Sequence, residues 1–194
     1  MKDSRYLCIL GLLAGLLGLF AFTPLGLLHL GPISATLFCI PVLVGTLALG
    51  VKAGVILSLC FSLISFSSAL QTPDALSIPL LQASIVYPLI LSFLPRIFIP
   101  VTTHLVFKVL HKKHHTMALV VSSAVGSLTN TVLYMGCMLC LYGVIGVDSA
   151  PVIGVIVTVI GAIAFAETAL AVLIVPTVIK ALEKTKIIPK RSSL

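Results

Sequence analysis

Long apolar runs, broken by short polar or proline- and glycine-bearing connectors, organise this chain from end to end. A helix needs about 20 residues to cross a hydrocarbon core of ~30 Å. The pattern predicts six such helices, at residues 6–22, 33–50, 51–70, 95–110, 117–142 and 151–182. They form a single membrane domain over residues 1–182, followed by a basic polar tail over residues 183–194. The repeated long runs are those of helices, not the alternating strands of a β-barrel. A tight turn at Gly50–Lys52 separates the second helix from the third.

Two connectors depart from the simple pattern. Thr23–Ser34 (TPLGLLHLGPIS) holds two prolines, two glycines and a histidine between strongly apolar segments, the make-up of a loop that caps a cavity. Gln71–Leu94 carries Pro73, Pro79 and Pro88, with Pro95 at its edge. It is too interrupted for one clean helix and too apolar for a solvated linker. Such backbone is tolerated at membrane depth only when buried in protein or lining a cavity. No internal repeat is evident, so an inverted-repeat transporter is not supported.

Composition strengthens the membrane assignment. Hydrophobic residues make up 59% and charged residues 9% of the chain, and mean hydropathy is +1.26. A soluble domain carries about a quarter charged residues. Met1–Arg5 and the apolar run after it mimic a signal peptide, but no convincing small-residue cleavage site follows.

Charge sets the orientation. With a cytoplasmic N-terminus, Lys2, Arg5, Lys52, Lys108, Lys112, Lys113, Lys180, Lys184, Lys186, Lys190 and Arg191 all fall inside, as the positive-inside rule requires. Both termini are then cytoplasmic in a multi-pass protein of the cell membrane. The net charge of +7 is explained by anionic lipid at the inner leaflet and calls for no nucleic acid. Of the 12 basic residues, Arg96 alone lies toward the outer side.

Arg96 therefore leads the candidate chemistry. It can clamp an anionic solute, since a guanidinium meets a carboxylate through a bidentate fork. It can equally pair with Asp74 or Asp148, or snorkel to the outer headgroups. Ser127-Leu128-Thr129-Asn130-Thr131 places four polar side chains in the fifth helix. Asn130 both donates and accepts, which suits a ligand amide or hydroxyl, whereas Ser127 reads as interhelical packing. Glu167 is an intramembrane carboxylate at about mid-membrane, deeper than Arg96, and is open to a structural or a site role. Ser65, Phe66, Ser67 and Ser68 close the third helix on the outer side. With Tyr87 and Phe93 they offer an aromatic wall and a hydroxyl rim, against an alternative of ordinary packing.

Other features exclude chemistry. The cysteines (Cys8, Cys39, Cys60, Cys137, Cys140) read mostly as small buried hydrophobes, and the Cys137/Cys140 CxxC lacks the second ligand pair that zinc would need. His111, His114 and His115 belong to a solvated basic turn, His104 stands by itself on the fourth helix, and His29 reads as a polar lid residue, so no metal is expected. HExxH, GxSxG and Walker A sequences are absent. Gly11, Ala14, Gly15 and Gly18 form a small-residue stripe on the first helix, suited to close approach of another helix from this chain or a partner.

Several of these stretches together resemble a known family. Leu30–Val55 (LGPISATLFCIPVLVGTLALGVKAGV), Leu94-Pro95-Arg96-Ile97 and Gly126-Ser127-Leu128-Thr129-Asn130-Thr131 are similar to the substrate-binding S components of energy-coupling factor (ECF) vitamin transporters. The resemblance runs over nearly the whole chain and is greatest to the pantothenate-specific branch. It implies an all-α membrane fold with an outer-face cavity closed by loops 1–2 and 3–4, in which His29, Gly31 and Pro32 belong to the lid. The residues read as substrate contacts are Arg96, Asn130, Phe66, Ser67, Tyr87, Thr131 and Glu167, and independently of the resemblance they suit pantothenate, with Arg96 for its carboxylate and Asn130 for its amide or a hydroxyl. Partners would be a transmembrane coupling (T) subunit and two ATP-binding-cassette ATPases, which use ATP and Mg²⁺, with no cofactor in this chain. The family's first-helix motif, often AxxxA, corresponds to Gly11 and Gly15 here and would face the coupling subunit. The alternatives are an S component for another water-soluble vitamin, and an intramembrane enzyme or structural membrane protein.

Overall fold

The computed structural model describes residues 3–23, 27–29, 34–73, 76–111, 114–146 and 161–188. Seven helices and one hairpin occupy those residues: α1 (Asp3–Phe22), β1 (Leu27–His29), β2 (Ser34–Thr36), α2 (Cys39–Leu49), α3 (Val51–Gln71), α4 (Ile78–Ala83), α5 (Val86–Leu110), α6 (His115–Ile145) and α7 (Gly161–Lys184). Five of them, α1, α3, α5, α6 and α7, are long and apolar enough to cross a membrane. The protein is thus a multi-pass membrane protein.

The central element is the short one. α2 has 11 residues, about 16 Å at 1.5 Å per residue, and nine of them are buried. A helix that is apolar all round belongs in the middle of a bundle, and α2 packs against α1, α3, α5, α6 and α7. Its Val42, Leu43, Val44 and Leu47 meet Leu13 and Leu17 of α1, Leu57 and Phe61 of α3, Ile99 and Phe107 of α5, and Val175 and Ile179 of α7 in one core. A second cluster joins Leu80 of α4, Leu91 of α5, and Met138, Leu141 and Tyr142 of α6. Large apolar side chains such as Leu12, Leu63, Val109, Val132 and Leu173 point outward, as lipid-facing positions require.

Two boundaries and one connector differ from the sequence expectation. The second span, expected over residues 33–50, begins at Cys39, because Ser34–Thr36 pairs antiparallel with Leu27–His29 in the register Leu27↔Thr36. The fourth span, expected over residues 95–110, begins at Val86, so Pro95 and Pro100 lie inside the helix. The segment between α3 and α5 holds a further short helix, α4, and Tyr142 of α6 donates its hydroxyl to the Leu76 carbonyl at 2.6 Å, tying that segment down. The sixth span, expected from residue 151, is described from Gly161 onward. The tight turn after α2 is as expected: Gly50, at φ 108°, closes α2 and opens α3 in a conformation open essentially to glycine.

Glycine also sets how closely the helices approach. A Cβ at Gly54 would strike the Thr46 hydroxyl and come within 2.7 Å of the Pro100 Cβ, so α2, α3 and α5 converge there. Gly126 plays the same part for α6 against Thr103 and Leu43. A Cβ at Gly11, Gly15 or Gly18 would meet nothing within 4 Å. Gly54→Ala is expected to lower stability by about 1–3 kcal/mol through overpacking, read as a lowered thermal-unfolding midpoint in detergent. Gly15→Ala should leave that midpoint unchanged.

Candidate functional site

α5 contains a problem that the bilayer makes acute. A proline inside a helix has no N–H to give the carbonyl four residues earlier, and no water is at hand to replace it. Pro95 thereby orphans the Leu91 carbonyl, and Pro100 orphans that of Arg96. Arg96 answers the first. Its Nη1 donates to the Leu91 carbonyl at 3.2 Å and to the Ser92 carbonyl at 2.7 Å. Ser58 of α3 answers the second, its hydroxyl donating to the Arg96 carbonyl.

The guanidinium is 4% exposed and held on several sides. Nη2 donates to the Ser65 hydroxyl at 2.7 Å. The Phe61 ring covers one side, with Cζ 4.4 Å from its centroid, and the Tyr134 centroid lies at 5.6 Å. Cation–ring contacts of this kind strengthen when desolvated. Phe61 in turn stacks on Phe38 at 5.2 Å, which meets Phe20 edge-on at 6.1 Å, so the rings connect Arg96 to α1 through the core. Cys39, Tyr134 and Glu167 lie within electrostatic range of Arg96. Five helices, α2, α3, α5, α6 and α7, thus face one polar locus.

Arg96 Nε and Asn130 Oδ1 are buried and have no hydrogen-bond partner among the described residues. Asn130 is four residues from Tyr134, so both lie on one face of α6. A buried donor or acceptor left unsatisfied costs about 1–3 kcal/mol. Nor does Arg96 form an ion pair with a carboxylate among the described residues, where the recorded pair is His115–Glu183 at 3.0 Å. Asp74 and Asp148, its candidate structural partners, lie outside the described residues.

The other expected positions divide. Thr129 returns its hydroxyl to the Val125 carbonyl of its own helix, while Ser127 receives a hydrogen bond from Thr168 of α7 at 3.4 Å, the packing role expected of it. Thr131 and Glu167 are half-buried. Phe66 is half-buried and Ser67 is exposed, its hydroxyl accepting from Gln71 of the same helix at 2.9 Å. Tyr87 packs against the second cluster. Arg96, expected at the mouth of its helix, sits ten residues after Val86, about 15 Å along the axis. His29 pairs with Ser34 through the hairpin backbone, and Gly31 and Pro32 lie outside the described residues. On α1, Gly11 and Gly15 are exposed, and Ala14 is half-buried against the core.

Sequence reasoning missed Ser58, Phe61 and Tyr134. Helical spacing carried the signal. Ser58, Phe61 and Ser65 fall at i, i+3 and i+7 on one face of α3, and Tyr134 follows Asn130 by four. Ser58→Ala should cost about 1–3 kcal/mol by leaving the Arg96 carbonyl bare. Pro100→Ala in that background should recover most of the loss, because alanine supplies the missing N–H; a thermal double-mutant cycle measures it.

Comparison with known proteins adds two findings. Residues 5–179 match the family described as "ECF transporter, substrate-specific component". The Pantothenic acid transporter PanT of Lactococcus lactis subsp. cremoris (strain MG1363) is 28% identical over 120 residues, which is 58% of this chain and 60% of that relative's length.

Proposed function

Since the chain belongs to the family of substrate-specific components of ECF transporters, we propose that it captures pantothenate at the outer face of the cell membrane for ATP-driven import. A member of this family is a transporter subunit and not an enzyme. The observation that carries the ligand is the buried, unpartnered pair of Arg96 Nε and Asn130 Oδ1. Pantothenate has one carboxylate, one amide and two hydroxyls, with an apolar gem-dimethyl group among them. Arg96 takes the carboxylate through a charge-assisted hydrogen bond. Asn130 accepts from the amide N–H or a hydroxyl, with Thr131 beside it and Glu167 facing from α7.

The name of the Lactococcus lactis relative supports this ligand. So does the aromatic content of 7% without tryptophan, poor in stacking surface for a flat vitamin such as riboflavin or folate. Phe66, Ser67 and Tyr87 line the approach from the outer side, and His29, Gly31 and Pro32 belong to the lid. The small-residue face of α1, with Gly11 and Gly15 exposed and Ala14 and Gly18 half-buried at its edge, docks on the transmembrane coupling subunit. That subunit works with two ATP-binding-cassette ATPases, which hydrolyse ATP with Mg²⁺.

Calorimetry on the detergent-purified protein tests the reading. Saturable binding of pantothenate, with none of riboflavin or folate, is expected. Arg96→Ala should weaken it by about 1.5–3 kcal/mol, roughly tenfold to a hundredfold. Unchanged affinity in a folded variant would remove Arg96 from the site.

A further inference from the structure

The carbonyl orphaned by Pro95 stands against the one side chain that the ligand reading most depends on. In an uninterrupted helix the N–H of residue 95 would occupy the Leu91 carbonyl. Proline withholds it, and Nη1 of the next residue takes its place at 3.2 Å, with the Ser92 carbonyl at 2.7 Å. Both N–H bonds of Nη1 are thereby spent on carbonyls of its own helix. Phe61 and Tyr134 fix the plane of the guanidinium, and the two carbonyls fix its rotation within that plane. Nη2 gives one N–H to Ser65, so what remains toward the ligand is its second N–H and that of Nε, an atom with no partner among the described residues.

We propose that Pro95 is a positioning residue: by freeing the Leu91 carbonyl to hold Nη1, it turns the Nε edge of Arg96 toward the ligand carboxylate. The inference rests on the reading of Arg96 as the carboxylate site. It explains a proline in the middle of a spanning helix, next to the arginine rather than elsewhere. Pro100 provides the internal contrast, since its orphaned carbonyl is served by Ser58 and not by the guanidinium.

The test compares pantothenate with its neutral alcohol analogue, in which the carboxylate is replaced by CH₂OH, on the full-length protein by calorimetry. Pro95→Ala and Pro95→Val both restore the N–H, and valine keeps most of the buried ring volume in case alanine fails to fold. Each is expected to lower affinity for the acid about tenfold, the worth of one hydrogen bond to a charged group. Affinity for the alcohol and the ligand-free unfolding midpoint should hold. Pro100→Ala should leave the acid-to-alcohol ratio at the wild-type value.

Wild-type affinity for the acid in both Pro95 variants would overturn the proposal. So would an equal loss for acid and alcohol, or a collapsed unfolding midpoint in both variants, since Pro95 would then serve the fold alone. If the wild-type protein binds no pantothenate, the ligand reading fails and takes this inference with it, an outcome separate from all the others.

Discussion

A polar group inside a bilayer must find its partner within the protein, and α5 is where this protein meets that demand most severely. Two prolines strip hydrogen bonds from the middle of the helix, and an arginine brings a charge to the same turns. Each difficulty is resolved by the other or by α3. The arginine serves the carbonyl that Pro95 orphans, and Ser58 serves the one that Pro100 orphans. The Ser58 bond also fixes α3 against α5, so there satisfying the backbone also helps to assemble the bundle.

Most buried hydroxyls do not link helices. Thr46, Ser62, Thr103 and Ser123 each donate to a carbonyl four residues back in their own helix. They satisfy themselves and let neighbouring helices close up, as at Gly54 and Gly126. Polar linkage is concentrated around Arg96, with a lesser contact where His115 meets Glu183 at the cytoplasmic ends of α6 and α7. The Arg96 contacts are all made within the protein, and preorganisation of this kind reduces the ordering cost of binding.

The family assignment gives this preorganisation a use. In the function proposed above, a desolvated guanidinium already oriented by its surroundings would give affinity for a charged solute. α1 is built differently: Leu13 and Leu17 enter the core, while Gly11 and Gly15 stay on the surface. One helix face anchors and the other is left smooth, an arrangement suited to docking against another membrane subunit.

The sequence by itself determined the multi-span class, because hydropathy is a sum over local residues that the bilayer reads directly, and it singled out Arg96 as the leading candidate for a site. It also marked Gly50 as a turn and Asn130 as a candidate ligand contact. Only the tertiary structure decided that Pro95 and Pro100 lie inside a helix rather than at its start. It also decided that Phe61 and Tyr134 are the rings set against the guanidinium, and that the second helix gives up its first turns to a hairpin. The reason is the same in each case. Whether a chain tolerates a missing hydrogen bond depends on a partner supplied from elsewhere: Ser58 lies 38 residues from the carbonyl it serves, a distance over which local periodicity carries no information.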